Sequence, residues 1–141
     1  MKLLFLDIDG VMTNDGLMID ESREYPFSKS CVDVLNQVLR THNVKIILTS
    51  SWRTVFDAEM IHRIFTENGV IQSPYGKTPS ISNLNRGLEI KRYLKDRKPA
   101  PFVILDDMEI TGFPRNFILI DPAKGLTEEH IPMINEILNK L

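Results

Sequence analysis

Apolar residues in this chain gather into short unbroken runs, separated by longer stretches where they recur every three or four positions. Five runs read as strands: Leu3–Leu6, Val44–Leu48, the brief Val70–Ile71, Phe102–Leu105 and Phe117–Ile120. Continuous hydrophobicity, in place of in–out alternation, marks strands buried on both faces. Between them the spacing becomes helical. Ser30–Thr41 carries Val32, Leu35, Val38 and Leu39, and Thr54–Glu67 carries Phe56, Met60, Ile61, Ile64 and Phe65 before an Asn68–Gly69 stop. A third helix is expected over Leu84–Arg97, ending before "KPAP". The last opens with a capping box from Thr127 to His130, whose acids suit a helix start, and continues with Ile131, Ile134, Ile137, Leu138 and Leu141 on one stripe.

Strands that alternate with helices predict a three-layer α/β sandwich, a mainly parallel Rossmann-like sheet covered by helices on both faces. Three connections fit neither period: Thr13–Phe27, Gln72–Asn83 and Glu109–Arg115. They read as surface loops, the first as a small hairpin flap turning at "NDG", with no room for a large cap. No repeat, low-complexity tract or linker interrupts the pattern, so residues 1–141 are expected to form one domain.

Composition narrows the class. Hydrophobic residues make up 43% and charged residues 26% of the 141, the balance of a globular protein. A net charge of −2 leaves no global basic footprint, so nucleic acid held by electrostatics alone is disfavoured. The single cysteine, Cys31, excludes an internal disulfide and reads as a small buried residue in a protein of a reducing compartment. The start "MKLLFLD" is too short an apolar run for a signal peptide or membrane span, and a cytoplasmic location is expected.

The chemistry follows from what succeeds each strand, because functional groups in open parallel sheets collect beyond the strands' carboxyl ends. The first strand is followed by Asp7 and Asp9, the second by "TSSWR" (Thr49 to Arg53), and the fourth by Asp106 and Asp107. Singly, each acid or hydroxyl is as well explained by helix capping or by "DG" turn chemistry. Together, carboxylates crowded at one edge repel by a few kcal/mol, roughly. A hard divalent cation relieves that cost, and magnesium prefers carboxylate oxygens with water and phosphate. His42, His62 and His130 are scattered and make no zinc set. Carboxylates, magnesium, a hydroxyl at a helix start and a nearby cation form a kit for phosphoryl transfer.

At these residues the chain resembles the haloacid-dehalogenase-like superfamily of phosphohydrolases. The four motifs of that superfamily correspond to "LLFLDIDGV", "KIILTSS", "NRGLEIKRYL" and "FVILDDME". The stretches "SSWR", "RGLEI", "VILDD" and "DPAKGLTEEH" extend the resemblance to a small capless subgroup associated with RNA-repair modules. The resemblance implies that Asp7 is the nucleophile of an aspartyl-phosphate, and that Asp9 protonates the leaving oxygen and then activates water. Asp9 would also reach the metal through its backbone carbonyl. It further implies that Thr49, with Ser50 as the register alternative, binds a phosphoryl oxygen. Arg86 takes a slot usually held by lysine, with Lys91 or Lys77 as alternatives. Asp106 and Asp107, together with Asp7 and Asp9, would hold Mg2+.

An acid at position 9 resembles the phosphatase and phosphomutase branches rather than the dehalogenases or ion pumps. Mutases need a cap, which favours phosphatase. The expected activity is magnesium-dependent hydrolysis of phosphomonoesters. The substrate is left open among a small ester, a nucleotide, a nucleic-acid end and a phosphoprotein, and the oligomeric state is left open too. Trp52 and Arg53 carry two readings: packing and ion pairing, or a base-stacking ring with a phosphate clamp. A receiver-type phospho-acceptor domain is the rival from another class. It fits poorly, because receivers place the acceptor on a middle strand and a lysine after a late one, whereas here a second acidic pair comes late and Thr49 ends the middle strand. A decayed phosphatase acting as a scaffold is the second rival.

Overall fold

The computed structural model describes residues 1–17, 23–81 and 85–140. Five strands form one sheet: β1 (Lys2–Leu6), β2 (Val44–Leu48), β3 (Gly76–Lys77), β4 (Phe102–Asp106) and β5 (Phe117–Leu119). Their order is β3-β2-β1-β4-β5, and every neighbouring pair is parallel. The helices are α1 (Lys29–Thr41), α2 (Trp52–Val55), α3 (Ala58–Glu67), α4 (Arg86–Leu94) and α5 (Ile131–Leu138), the last preceded by a 3-10 turn at Glu128–His130.

Adjacent strand residues point to opposite faces, and the core divides accordingly. Leu4, Leu6, Ile46, Leu48, Val103 and Leu105 pack with residues of α1, α3 and α5 on one face. Leu3, Phe5, Ile47 and Ile104 pack with Ile90 and Tyr93 of α4 on the other. This is the predicted three-layer sandwich, with a thin second layer. From β1 the chain moves outward to β2 and β3, then crosses back to β4 on the other side of β1. The reversal opens a crevice between the carboxyl ends of β1 and β4, where such folds bind ligands. No helix among the described residues is long and apolar enough to cross a membrane.

Three elements depart from the sequence pattern. The third strand is Gly76–Lys77, and Val70–Ile71 is not a strand. The amide of Val70 donates to Phe65 O at 3.0 Å and that of Ile71 to Asn36 Oδ1 at 3.0 Å, so this pair closes the end of α3. Edge pairing comes instead from Tyr75 N–H to Ile46 O and Thr78 N–H to Leu48 O, backbone contacts with no apolar signature. The helix expected over Thr54–Glu67 is two helices, because Phe56 adopts extended backbone and Asp57 caps a new start by accepting from Met60 N–H. The third helix begins at Arg86, capped by Asn85 accepting from Leu88 N–H, and ends at Leu94.

The "NDG" turn is present, with Leu17 N–H donating to Asn14 O at 3.1 Å, but no strand flanks it among the described residues. The middle of the expected flap (18–22), residues 82–84, where Leu84 opens the expected helix, and Leu141 lie outside the described residues.

Candidate active site

The register of β1 against its neighbours brings the distant motifs together. The amide of Thr49 donates to Leu6 O at 3.0 Å and that of Asp7 to Leu105 O at 3.1 Å. Thr49, Asp7 and Asp106, which follow the paired Leu48, Leu6 and Leu105 of three adjacent strands, are thereby drawn into one row. Asp7, Asp106 and Asp107 each offer a carboxylate oxygen, all within 4.8 Å of one another. Asp7 and Asp106 are only 3% and 1% exposed.

One cation faces this group directly. Arg86 opens α4, and its Nη1 lies 3.0 Å from Asp7 Oδ1 and 2.7 Å from Asp106 Oδ2. Its reach depends on Gly87, where a Cβ would come within 2.6 Å of the Thr111 carbonyl oxygen, so α4 sits close to the loop beyond β4. Asp106 is further fixed by accepting from Met108 N–H at 2.9 Å. Asp107 is seated by Gly10, whose φ of +82° suits glycine and whose missing Cβ would lie 2.3 Å from Asp107 Oδ2.

Two of the three acids share one guanidinium, and the carboxyl groups of both are raised. Burial pushes Asp7 up to about 8, and the neighbouring Asp106 charge adds to the rise that Arg86 opposes. Burial also raises Asp106, although Met108 N–H and Arg86 favour its charged form. A like-charged pair 4 Å apart costs about 4 kcal/mol at an effective dielectric of 20. The set fits a hard divalent cation: the donors are all carboxylate oxygens, partly buried, mutually close and short of positive charge.

Thr49 carries a second sign of an absent partner. Its side chain is buried, and its Oγ1 has no hydrogen-bond partner among the described residues. A buried hydroxyl left unpaired costs about 1–3 kcal/mol. Ser50, the register alternative, accepts at its Oγ from Trp52 N–H at 3.2 Å, a bond that ties it to the following turn.

Asp9 is exposed and stands outside the three-acid group. Its Oδ2 accepts from the Trp52 indole Nε1–H at 3.2 Å. Trp52 itself packs against Tyr25, Phe27 and Phe56, with ring centroids 5.6, 6.1 and 5.7 Å away. Lys77 and Lys91 are exposed, and Lys77 Nζ lies 3.5 Å from Arg53 O.

Of the two readings of Arg53, the structure gives ion pairing in place of the phosphate clamp. Its Nε–H donates to Thr78 O, Nη1 to the carbonyls of Thr49 and Ser50, and Nη2 to Pro79 O and the Glu89 carboxylate. All five N–H groups are spent, leaving none for a ligand. Glu89 went unremarked in the sequence. Its position in a helical stretch gives no hint of burial, and only its place on the inner face of α4 makes it the partner of Arg53.

Comparison with curated proteins and with solved structures returns no match. A family model described as the HAD domain in Swiss Army Knife RNA repair proteins matches residues 3–131. That span runs from the first residue of the β1 motif to the start of α5 and includes every acid and cation of the crevice. A capless parallel sheet, acids beyond β1 and β4 and an N-terminal arginine on α4 accord with it, and the chain belongs to this family of HAD domains.

Proposed function

We propose that the protein is a divalent-cation-dependent phosphomonoesterase that works through an aspartyl-phosphate on Asp7, with Mg2+ as the ion. Family membership points to phosphohydrolase chemistry and to a phosphorylated substrate in general. The observation that carries the finer reading is the grouping of Asp7, Asp106 and Asp107 beside Arg86 in the β1–β4 crevice.

In this reading Asp7, Asp106 and Asp107 hold the cation, with the Asp9 carbonyl as a further donor. When bound, the cation neutralises the crowded acids and offsets charge on the phosphoryl oxygens. Arg86 orients Asp7 and, being the guanidinium nearest to it, also faces the incoming phosphoryl group. The Thr49 hydroxyl gains the partner it lacks by donating to a phosphoryl oxygen. An Asp7 oxygen attacks phosphorus as the ester P–O bond breaks, and Asp9 passes its proton to the departing oxygen. Water then attacks the phosphorus, Asp9 takes the proton, and the bond to Asp7 breaks. Inorganic phosphate leaves and both carboxyl groups return to their starting states.

A site without a large cap suits phosphate on a bulky carrier, and the family description associates relatives with RNA repair. The first substrates to test are therefore 3′- and 5′-phosphorylated oligonucleotides, beside nucleotides, sugar phosphates and an aryl phosphate. Phosphate release should require Mg2+, stop on chelation and vanish in Asp7→Asn while the variant stays folded. Undiminished turnover by Asp7→Asn would reject the nucleophile.

A further inference from the structure

Asp9 has the most demanding task in the proposed reaction and the least support. It must deliver a proton and take one back from the same place, yet it is exposed and outside the Arg86 bridge. A free aspartate side chain samples several rotamers, and fixing one costs up to about 1 kcal/mol. The polar contact that the structure gives this side chain, among the described residues, is the indole N–H of Trp52 at 3.2 Å.

That indole is held on several sides. Its ring lies against Tyr25 and Phe27 from the β1–α1 connection and against Phe56 from the end of α2. Tyr25 and Phe56 also meet each other, with centroids 4.9 Å apart. The backbone is fixed too, since Trp52 N–H donates to Ser50 Oγ and Trp52 O accepts from Phe56 N–H. Trp52 therefore follows the Thr49 turn as a rigid plate with its single polar atom on Asp9.

From this geometry we propose that Trp52 is a positioning residue for the general acid and base, and that its indole N–H fixes which oxygen of Asp9 carries the proton. An indole nitrogen donates and cannot accept. With Oδ2 occupied by that donor, the transferable proton resides on Oδ1, which has no partner among the described residues. Oδ1–H then gives its proton to the ester oxygen as the P–O bond breaks, and Oδ1 recovers one from water in the second step. The inference rests on the phosphatase reading above.

The test uses the dependence of kcat/KM on the leaving group, which reports proton donation and is insensitive to general loosening. A p-nitrophenyl leaving group departs without protonation, whereas an alkyl alkoxide needs it. Trp52→Phe keeps an aromatic plate and removes the N–H. It should lower kcat/KM for alkyl phosphates about tenfold, a fraction of what a general acid contributes, while p-nitrophenyl phosphate changes less than about twofold. The chain contains one tryptophan, so biosynthetic replacement by benzothienylalanine alters this residue alone. That isostere has sulfur in place of N–H, preserves the packing and should reproduce the effect if Trp52→Phe folds poorly. An equal loss on all esters, no loss, or a rise in KM confined to nucleotides would overturn the inference. Asp7→Asn assayed alongside separates the two failures. Asp7-dependent turnover with a parallel Trp52 series removes only the positioning role, and turnover indifferent to Asp7 removes the parent reading as well.

Discussion

Two arginines sit within this small fold and do opposite work. Arg53 is 7% exposed, pairs with Glu89 at 2.9 Å and gives its remaining N–H groups to four backbone carbonyls. It locks the Thr49–Ser50 turn to the Thr78–Pro79 segment, and Glu89 completes the lock by accepting from Ile81 N–H at 2.8 Å. Arg86 touches two acids through one nitrogen, in a group where acids outnumber it three to one. The first region is balanced and complete. The second is left short of positive charge and carries a strongly raised carboxyl. Balance is what a scaffold needs, whereas a deficit of charge at a crevice invites a cation and an anion to be bound there together.

Breaking each arginine should separate the regions. Arg53→Ala strands Glu89 as a buried unpaired charge and should lower stability by about 3–5 kcal/mol, read as a large drop in the unfolding midpoint. Mg2+ should not restore it. Arg86→Ala should lower phosphate release about a hundredfold or more. Its thermal midpoint should fall in chelator and recover with Mg2+, because the cation takes over the neutralising of Asp7 and Asp106. Recovery of Arg53→Ala by Mg2+, or wild-type turnover by Arg86→Ala, would erase the distinction.

The charge deficit also predicts how stability changes with pH. Asp7 has an ordinary value of 3.8 and is pushed up to about 8 in the folded chain, first by burial and then by Asp106. Between those values the folded state holds a proton that the unfolded chain has released. Stability is therefore full below about pH 4 for this group and is lost as pH rises towards 8. Metal-free protein should melt at lower temperature at pH 8 than at pH 5.5, and Asp7→Asn should flatten that slope. Added Mg2+ should protect more at the higher pH. A midpoint that climbs with pH in chelator would contradict the sign.

Smaller substitutions sharpen the edges of the site. Gly10→Ala adds a Cβ where Asp107 Oδ2 lies and forces alanine to a φ of +82°, a strain of roughly 1–2 kcal/mol. It should weaken Mg2+ binding, read as an increased half-saturating concentration, more than it lowers the unfolding midpoint. Lys91→Ala, one turn and more along α4 from Arg86 on an exposed position, should stay within about 0.5 kcal/mol of the wild type and keep its activity. A large loss there would return the cationic slot to Lys91.

The parallel sheet and the row of acids at its carboxyl edge are legible in the order of residues alone. Both come from local patterns: continuous apolar runs for β1, β2 and β4, each followed at once by polar residues. Which cation meets which acid emerges with folding, because long side chains such as Arg53 and Arg86 choose partners across elements and their spacing says nothing of burial. Folding likewise turned Trp52 towards Asp9 and left Thr49 Oγ1 buried without a partner among the described residues. It also located the third strand at Gly76–Lys77, where backbone hydrogen bonds from the edge of β2 define a strand that hydrophobicity cannot mark. Burial of apolar groups is encoded locally and repeats with a period. Charge pairing is encoded in distances that exist only after the chain has folded.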